Sequence, residues 1–415
     1  MSKQSVLNIQ HWHTTQSVPV YFVHTPELPM IDIRLVFQAG ASRSRNAPGL
    51  ANLTSALLDE GTRQLSADDI AQRFDKVGAI YRGGLSYDSV SVSLRSLTHD
   101  NFLSPALETF AHILNDPVFP LEAFERIKKQ ALTSLEEDLQ YPSYVAKNTF
   151  YEALYPNHAY GQPISGHIDS VKQLTRDDVE RFHALYYTAQ NAVIAIVGNA
   201  TLAKVQEISE KLAEQLLQGR KAQPLEFADE APAATHTVHF PSQQTTIFLG
   251  QVGISVKDAD YFPLIVGNYT LGGGGMVSRL FHQVREQKGL AYSVQSSFMP
   301  LLARGPFLVK LQTRNQEAKN AIELVNSILH DFIQQGPTEQ ELHAAKKNLM
   351  GGFALELASN ANIIGELTRI GFYEFPLDYL DTYRDNIAAV TTERICAAFQ
   401  KYIQPNKLVQ IAVGG

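Results

Sequence analysis

The sequence predicts an α+β protein of two duplicated domains, each a largely antiparallel sheet with helices packed on one face, joined by a linker. Three observations carry this expectation. The chain is 415 residues long, more than one ordinary core accommodates. Strand and helix patterns alternate through the first half in the order β-β-α-α-β-α-α. The second half then repeats the first. "TRDDVERFHALYYTAQNAVIAIVG" (175–198) aligns without gaps on "TTERICAAFQKYIQPNKLVQIAVG" (391–414), so that Thr175 meets Thr391, Tyr186 meets Tyr402, and Gly198 meets Gly414. "PLEAFERIKK" (120–129) matches "PTEQELHAAKK" (337–347) at nearly the same offset, which marks an internal duplication.

The elements follow in order. "PVYFVHTP" and "IDIRLVFQAG" are rich in β-branched and aromatic residues and read as strands. "PGLANLTSALLDEGT" (48–62) reads as a helix with Leu50, Leu53, Ala56 and Leu57 on its buried side and Gly61 as its stop. In "SADDIAQRFDKVG", Ser66 is the expected N-cap, acids fill the first turn, and Gly78 ends the helix. "DSVSVSLRSL" alternates at Val90, Val92 and Leu94, the pattern of a half-buried strand. Two amphipathic helices follow, "NFLSPALETFAHILNDP" and "LEAFERIKKQALTSLEEDLQYP", and then the buried strand "NAVIAIVG". "QGRKAQPLEFADEAPAATH" is rich in Ala, Pro and charge without a period, and reads as a linker. The expected division is a domain over 1–217, a linker over 218–236, and a domain over 237–415, with the linker exposed.

Composition excludes several classes. A net charge of -7 and a pI near 6 leave no basic excess for a polyanion, which argues against nucleic acid. Cys396 is the only cysteine, so an intrachain disulfide is impossible; its apolar helical surroundings suit a core residue better than a nucleophile. No run of about 18 apolar residues offers a membrane span. "MSKQSVLNIQHWHTTQ" lacks the apolar core of a signal peptide, and periplasm and cytoplasm both remain open. No Gly-x-Ser-x-Gly elbow occurs, and "LGGGGM" is not followed by the Lys-Ser/Thr of a phosphate loop, so it reads as a flexible or tightly packed turn. The pairs His11/His13 and His236/His239 could offer two ligands each, but neither has a carboxylate placed as a general base.

Three segments resemble the insulinase or pitrilysin family of zinc peptidases, in its shorter bacterial two-domain branch. "IDIRLVFQAGASRSRNAPGLANLTSALLDEGT" resembles the family's first strand and catalytic helix. "YPNHAYGQPISGHIDSVKQLTRDDVERFHALYY" resembles its connecting segment, and "GGGGMVSRLFHQVREQKGLAYSV" the signature of its C-terminal domain. Active members carry His-x-x-Glu-His on the helix after Gly-Leu-Ala, which sets two imidazoles on one helix face and a carboxylate beside the metal-bound water. Here those positions hold Asn52, Ser55 and Ala56. The third ligand of the family, a Glu on a later helix, aligns with Leu132 or Ser134; Glu136 and Glu137 lie nearby but cannot hold zinc alone.

The resemblance also implies an Arg and a Tyr, seven residues apart, that bind the substrate backbone and the developing oxyanion. Arg285 and Tyr292 of "REQKGLAY" occupy those positions. A chain that keeps this pair and lacks the ligands matches relatives that work as heterodimers. It would be the non-proteolytic subunit of a metalloendopeptidase: no metal and no catalysis on its own, with zinc in a paralogous partner and extended peptides as substrates. The strand region from Gly83 to Leu94 would be where a peptide adds to a sheet edge. Two other readings predict different behaviour. A structural or assembly protein of this fold needs neither Arg285 nor Tyr292, and a stand-alone peptide-binding protein binds peptide without a partner.

Overall fold

The computed structural model describes residues 5–415. Two sheets organise it. The first contains β1 (Gln10–His13), β2 (Pro19–His24), β3 (Met30–Phe37), β4 (Ile80–Leu85), β5 (Val90–Leu97) and β6 (Ala192–Gly198), in the order β1-β2-β6-β3-β5-β4. The second contains β7 (Ala234–His239), β8 (Gln244–Val252), β9 (Ala291–Phe298), β10 (Pro306–Arg314) and β11 (Val409–Gly414), in the order β7-β11-β8-β10-β9. Without β1 the two orders are the same, and in each only one pair is parallel, β2 with β6 and β7 with β11. The repeat seen in the sequence is thus a repeat of topology, and β4 and β9 are equivalent edge strands.

Local sequence accounts for the elements. β5 buries Val90, Val92 and Leu94 and leaves Ser91, Ser93 and Arg95 half-buried on its other face, while every residue of β6 is buried. The Ala67–Val77 helix opens on Ser66, whose hydroxyl accepts from the Asp69 amide while the Asp69 carboxylate accepts from the Ser66 amide. Such a reciprocal cap stabilises a helix by about 1 kcal/mol. The Ser66 hydroxyl, donating to Asp69 Oδ2 at 2.7 Å, and the Ser66 amide, donating to it at 3.0 Å, hold the Asp69 carboxyl below its usual range.

The compact units are discontinuous. One comprises residues 1–135, 163–224 and 355–381; the other comprises 136–162, 225–354 and 382–415. The expected contiguous halves, 1–217 and 237–415, are corrected by this: the chain does cross between units within 218–236, after Pro224, but it crosses elsewhere too. The reason is packing. The Pro142–Leu154 helix, from the first half, packs on β8 and β11, and the Asn360–Phe372 helix, from the second half, packs on β2, β3 and β6. These helices occupy corresponding places in the repeat, so each unit takes the helix of the other half.

Glycine makes the seats. A Cβ on Gly250 of β8 would lie 2.8 Å from the Phe150 ring, and one on Gly371 would lie 2.5 Å from Val193 and 2.6 Å from the Tyr21 ring. Real Cβ atoms do not approach so closely, and any larger residue would lift the helix off the sheet. The remaining helices of each half cover the opposite face. In the second unit that face is a single core including Ile247, Leu249, Phe332 and Phe399. The linker is irregular from 218 to 233 and mostly exposed, but Ala228 within it is fully buried.

The exchange predicts how the halves behave apart. The Asn360–Phe372 helix buries Ile363, Ile364, Leu367, Ile370 and Phe372. At about 1.5–3 kcal/mol per buried apolar side chain, its loss rivals the whole stability of a domain, roughly 5–15 kcal/mol. Residues 1–224 and 225–415 expressed separately should therefore lack cooperative thermal unfolding, and co-expression should restore it. Cooperative unfolding of either piece alone would show that the exchanged helix is dispensable.

Candidate functional site

The short helix Leu50–Ala56 begins after Gly49 and ends within two turns at Leu57. Leu53 and Leu57 are buried as expected, but Ala56 is exposed, because the helix stops before that face meets a neighbour. Asn52 and Ser55 are half-buried. Ser55 points at edge strand β4: its Oγ lies 3.8 Å from where a Cβ of Gly83 would stand. Leu132 is half-buried and Ser134 exposed on the Leu121–Asp138 helix, as are Glu136 and Glu137. This donor set does not fit zinc: one amide, one hydroxyl and a methyl replace two imidazoles and a carboxylate.

The histidine pairs are exposed strand residues. The His11 ring stacks on Tyr21 at 4.4 Å, and its Nδ1 lies 2.9 Å from the Val20 carbonyl oxygen. His236 and His239 are three apart on β7 and so project to opposite faces. Among the described residues no three His, Cys, Asp or Glu side chains gather as a metal site. Cys396 is half-buried rather than core, beside Gly336 and Thr392, and burial raises its thiol pKa. "LGGGGM" is a packed turn: a Cβ on Gly272 would meet Ser296 at 2.4 Å. Asn268 donates to the Ser296 carbonyl at 3.1 Å, and the Ser296 hydroxyl donates back to the Asn268 side chain at 2.7 Å, both buried.

Arg285 and Tyr292 are brought together by local backbone chemistry. Arg285 lies on the π-helical segment Phe281–Gln287. That segment ends in a left-handed glycine, Gly289 (φ 60°), whose amide donates to the Arg285 carbonyl while the Leu290 amide donates to that of Val284. This closing turn sends the chain straight into β9 and fixes the seven-residue spacing. β9 then bulges. Ser293 pairs with Gln312 and Ala291 with Thr313, so Tyr292 is the extra residue. A bulge re-aims its side chain: Tyr292 and Ser293 both face outward between buried Ala291 and Val294. The Arg285 guanidinium carbon sits 5.0 Å from the Tyr292 ring and 4.6 Å from the Phe281 ring, within cation–π range. Tyr292 is 75% exposed. Both therefore present hydrogen-bond donors at an open sheet edge.

A clamp anchors the segment behind them. Arg279 donates to both carboxylate oxygens of Glu341, at 2.7 and 2.6 Å, and to the Gly336 carbonyl at 2.8 Å. Its guanidinium also lies 5.1 Å from the Phe332 ring. Burial pulls the Glu341 carboxyl up, but hydrogen bonds from Arg279 and from the Thr338 amide outweigh it, and its pKa falls below 4.5. Neither the clamp nor the bulge was anticipated from the sequence; only the Gly289 stop is visible there.

The expected edge also needs correcting. β5 lies between β3 and β4 and its backbone is paired on both sides, so of the expected span from Gly83 to Leu94 only Gly83–Leu85 lies on a sheet edge, as the end of β4 (Ile80–Leu85).

A duplicated pair of helix-covered sheets, with an Arg/Tyr pair on the second and a ligand-free helix on the first, defines a peptidase-like architecture. The insulinase (peptidase family M16) model matches residues 20–167, and the peptidase M16 inactive-domain model matches residues 173–349. The chain is similar to a peptidase M16 inactive domain from Pseudomonas fluorescens, with 38% identity, 98% of each chain covered and a TM-score of 0.95. A protease from Helicobacter pylori shares the fold at 21% identity, with 99% of this chain and 100% of that one covered and a TM-score of 0.90. The non-peptidase homolog YmxG of Helicobacter pylori is 27% identical over 398 residues, 94% of this chain and 90% of the relative. The uncharacterized zinc protease YmxG of Bacillus subtilis is 27% identical over 350 residues, 84% of each. The chain belongs to the M16 insulinase family. No helix among the described residues is long and apolar enough to cross a membrane.

Two outcomes test the site's framework. Purified chain should carry no stoichiometric zinc by elemental analysis, and one tightly bound zinc per chain would contradict the donor set. Glu341→Gln leaves Arg279 without its counter-charge and should cost about 1–3 kcal/mol near neutral pH. Because the folded Glu341 pKa is depressed, the clamp contributes fully above 4.5 and is lost as pH falls through the depressed value. The difference in thermal stability between wild type and variant should therefore narrow below pH 4.5, and a difference constant with pH would contradict it.

Proposed function

We propose that this chain is the non-proteolytic subunit of a two-chain zinc endopeptidase, and that it supplies Arg285 and Tyr292 to an active site whose zinc is held by a paralogous chain. The observation that carries the reading is the bulge at Tyr292. A structural strand has no need of an extra residue that turns an aromatic hydroxyl outward beside a guanidinium. The guanidinium and the phenol donate hydrogen bonds, and they would do so where a peptide carbonyl gains negative charge during cleavage. The replaced motif at Asn52, Ser55 and Ala56 supports a chain that does not cleave by itself. So do the relatives described as a non-peptidase homolog and an inactive domain. An extended peptide is the fitting substrate, since the open edges of β4 and β9 offer unpaired backbone groups.

The test is the reconstituted pair, assayed on a long unstructured peptide. Removing one oxyanion donor typically costs about 3–4 kcal/mol, roughly a hundredfold to a thousandfold in rate. Tyr292→Phe should lower kcat by that order with little change in KM, and the chain should still fold and bind its partner. Arg285→Lys should also impair turnover, because an ammonium lacks the planar fork. If both variants stay within about twofold of wild type, under roughly 0.5 kcal/mol, the chain is a structural subunit instead.

A further inference from the structure

A cluster of arginines lies on the first sheet, on the face covered by the Asn360–Phe372 helix and unrelated to the Arg/Tyr pair. Arg34 on β3 and Arg82 on β4 both stand opposite Ser93 of β5, so the three residues form one row across three strands. Adjacent strands lie about 4.8 Å apart, which places the two arginine backbones about 10 Å from each other with a small residue between them. In the next row Arg95 of β5 stands between Asp32 and Ile80. Together with Leu94, Ala361 and Ile364 these side chains line a cavity of about 90 Å³.

The charges in this cavity do not balance. Asp32 is its single carboxylate and is already engaged by Arg95, which donates from Nε at 2.7 Å and from Nη2 at 3.2 Å. The Ser93 hydroxyl donates to the Arg82 carbonyl. Arg34 and Arg82 thus carry two further positive charges with no second carboxylate in the lining. The Arg34 Nε is buried without a hydrogen-bond partner, and burial lowers the pKa of its guanidinium despite the attraction of Asp32. Buried donors are nearly always satisfied, by protein or by something bound. A space of 90 Å³ equals about three water volumes, the size of one oxyanion head group. It adjoins a groove of about 780 Å³ that shares Asp32 and Arg95 and is walled by Val23, Leu28, Met30 and Ile363.

We propose that Arg34, Arg82 and Arg95 form an oxyanion site that takes a carboxylate or phosphate group, with the body of a larger ligand lying in the adjoining groove. The guanidinium forks supply paired N–H donors, and the geometry suits a planar carboxylate as well as a phosphate. The inference does not rest on the Arg285/Tyr292 pair; of its residues only Arg82 lies on β4, and it is used here through its side chain rather than through the strand's backbone edge.

Calorimetric titration of the whole chain tests the site with three probes: inorganic phosphate, an apolar hexapeptide with a free C-terminus, and its C-terminal amide. Saturable binding of phosphate alone identifies phosphate as the ligand group, and binding of the free peptide but not the amide identifies a terminal carboxylate. In either case Arg82→Gln, at an exposed position, and Arg34→Gln should each weaken binding tenfold or more while circular dichroism stays unchanged. Lys319→Gln, which removes an equal charge from an exposed position in the other unit, should leave binding as it was. The proposal is overturned if neither anion binds saturably, if the amide binds as well as the free acid, or if Arg82→Gln binds like wild type.

Discussion

Each sheet of this protein is closed by a helix from the other half of the sequence, and the rest of the structure depends on those two seats. A sheet with helices on one side leaves an apolar face open, and β2, β3 and β6 would expose theirs without the Asn360–Phe372 helix. Gly371 over Tyr21 and Val193, and Phe150 over Gly250, permit approaches that no other residue at those glycines would allow. The duplication makes the exchange symmetrical. Two equivalent helices leave two equivalent places, so the same packing problem has the same answer in both units. Once the faces are closed, the edge strands β1, β4, β7 and β9 keep backbone groups unpaired within the sheets, and the features that bear on function lie at β4 and β9.

The two edges have diverged within one topology. Near β4 the Leu50–Ala56 helix is two turns long, and the positions where the sequence resemblance expects a zinc motif hold an amide, a hydroxyl and an exposed methyl. At β9 the chain keeps a left-handed glycine stop, a bulge and a clamped arginine, three devices that hold Arg285 and Tyr292 in contact. The cation–π contact matters here because it orders two otherwise mobile side chains without using their hydrogen-bond donors.

Much of the fold was legible in the sequence, for physical reasons. Alternation at Val90, Val92 and Leu94 and the Ser66 cap are local signals, and both elements form where they were expected. The repeat gave the two-sheet plan because equivalent patterns fold alike. What was not legible was long-range. Nothing local in 142–154 or 360–372 says which sheet the helix will cover, so the contiguous domain division failed. Ala56 was placed in the core by helical period alone, but the helix ends before that period can act. The bulge depends on register against β10, which no single strand encodes. The arginine row was hidden for the same reason: Arg34 and Arg82 are 48 positions apart and meet only through strand pairing. Arg285 and Tyr292 were singled out only through the resemblance of "REQKGLAY" to the family's pair; the exposure of Tyr292 follows from the bulge.

The central claim is that catalysis needs this chain and a zinc-bearing M16 chain together. The most direct measurement titrates a fixed amount of the zinc-bearing paralogue with this chain and follows cleavage of an unstructured peptide. The account predicts negligible cleavage by either chain alone, with activity rising in proportion to added chain and breaking sharply at one equivalent. Full activity of the zinc-bearing chain by itself, unchanged across the titration, would contradict it.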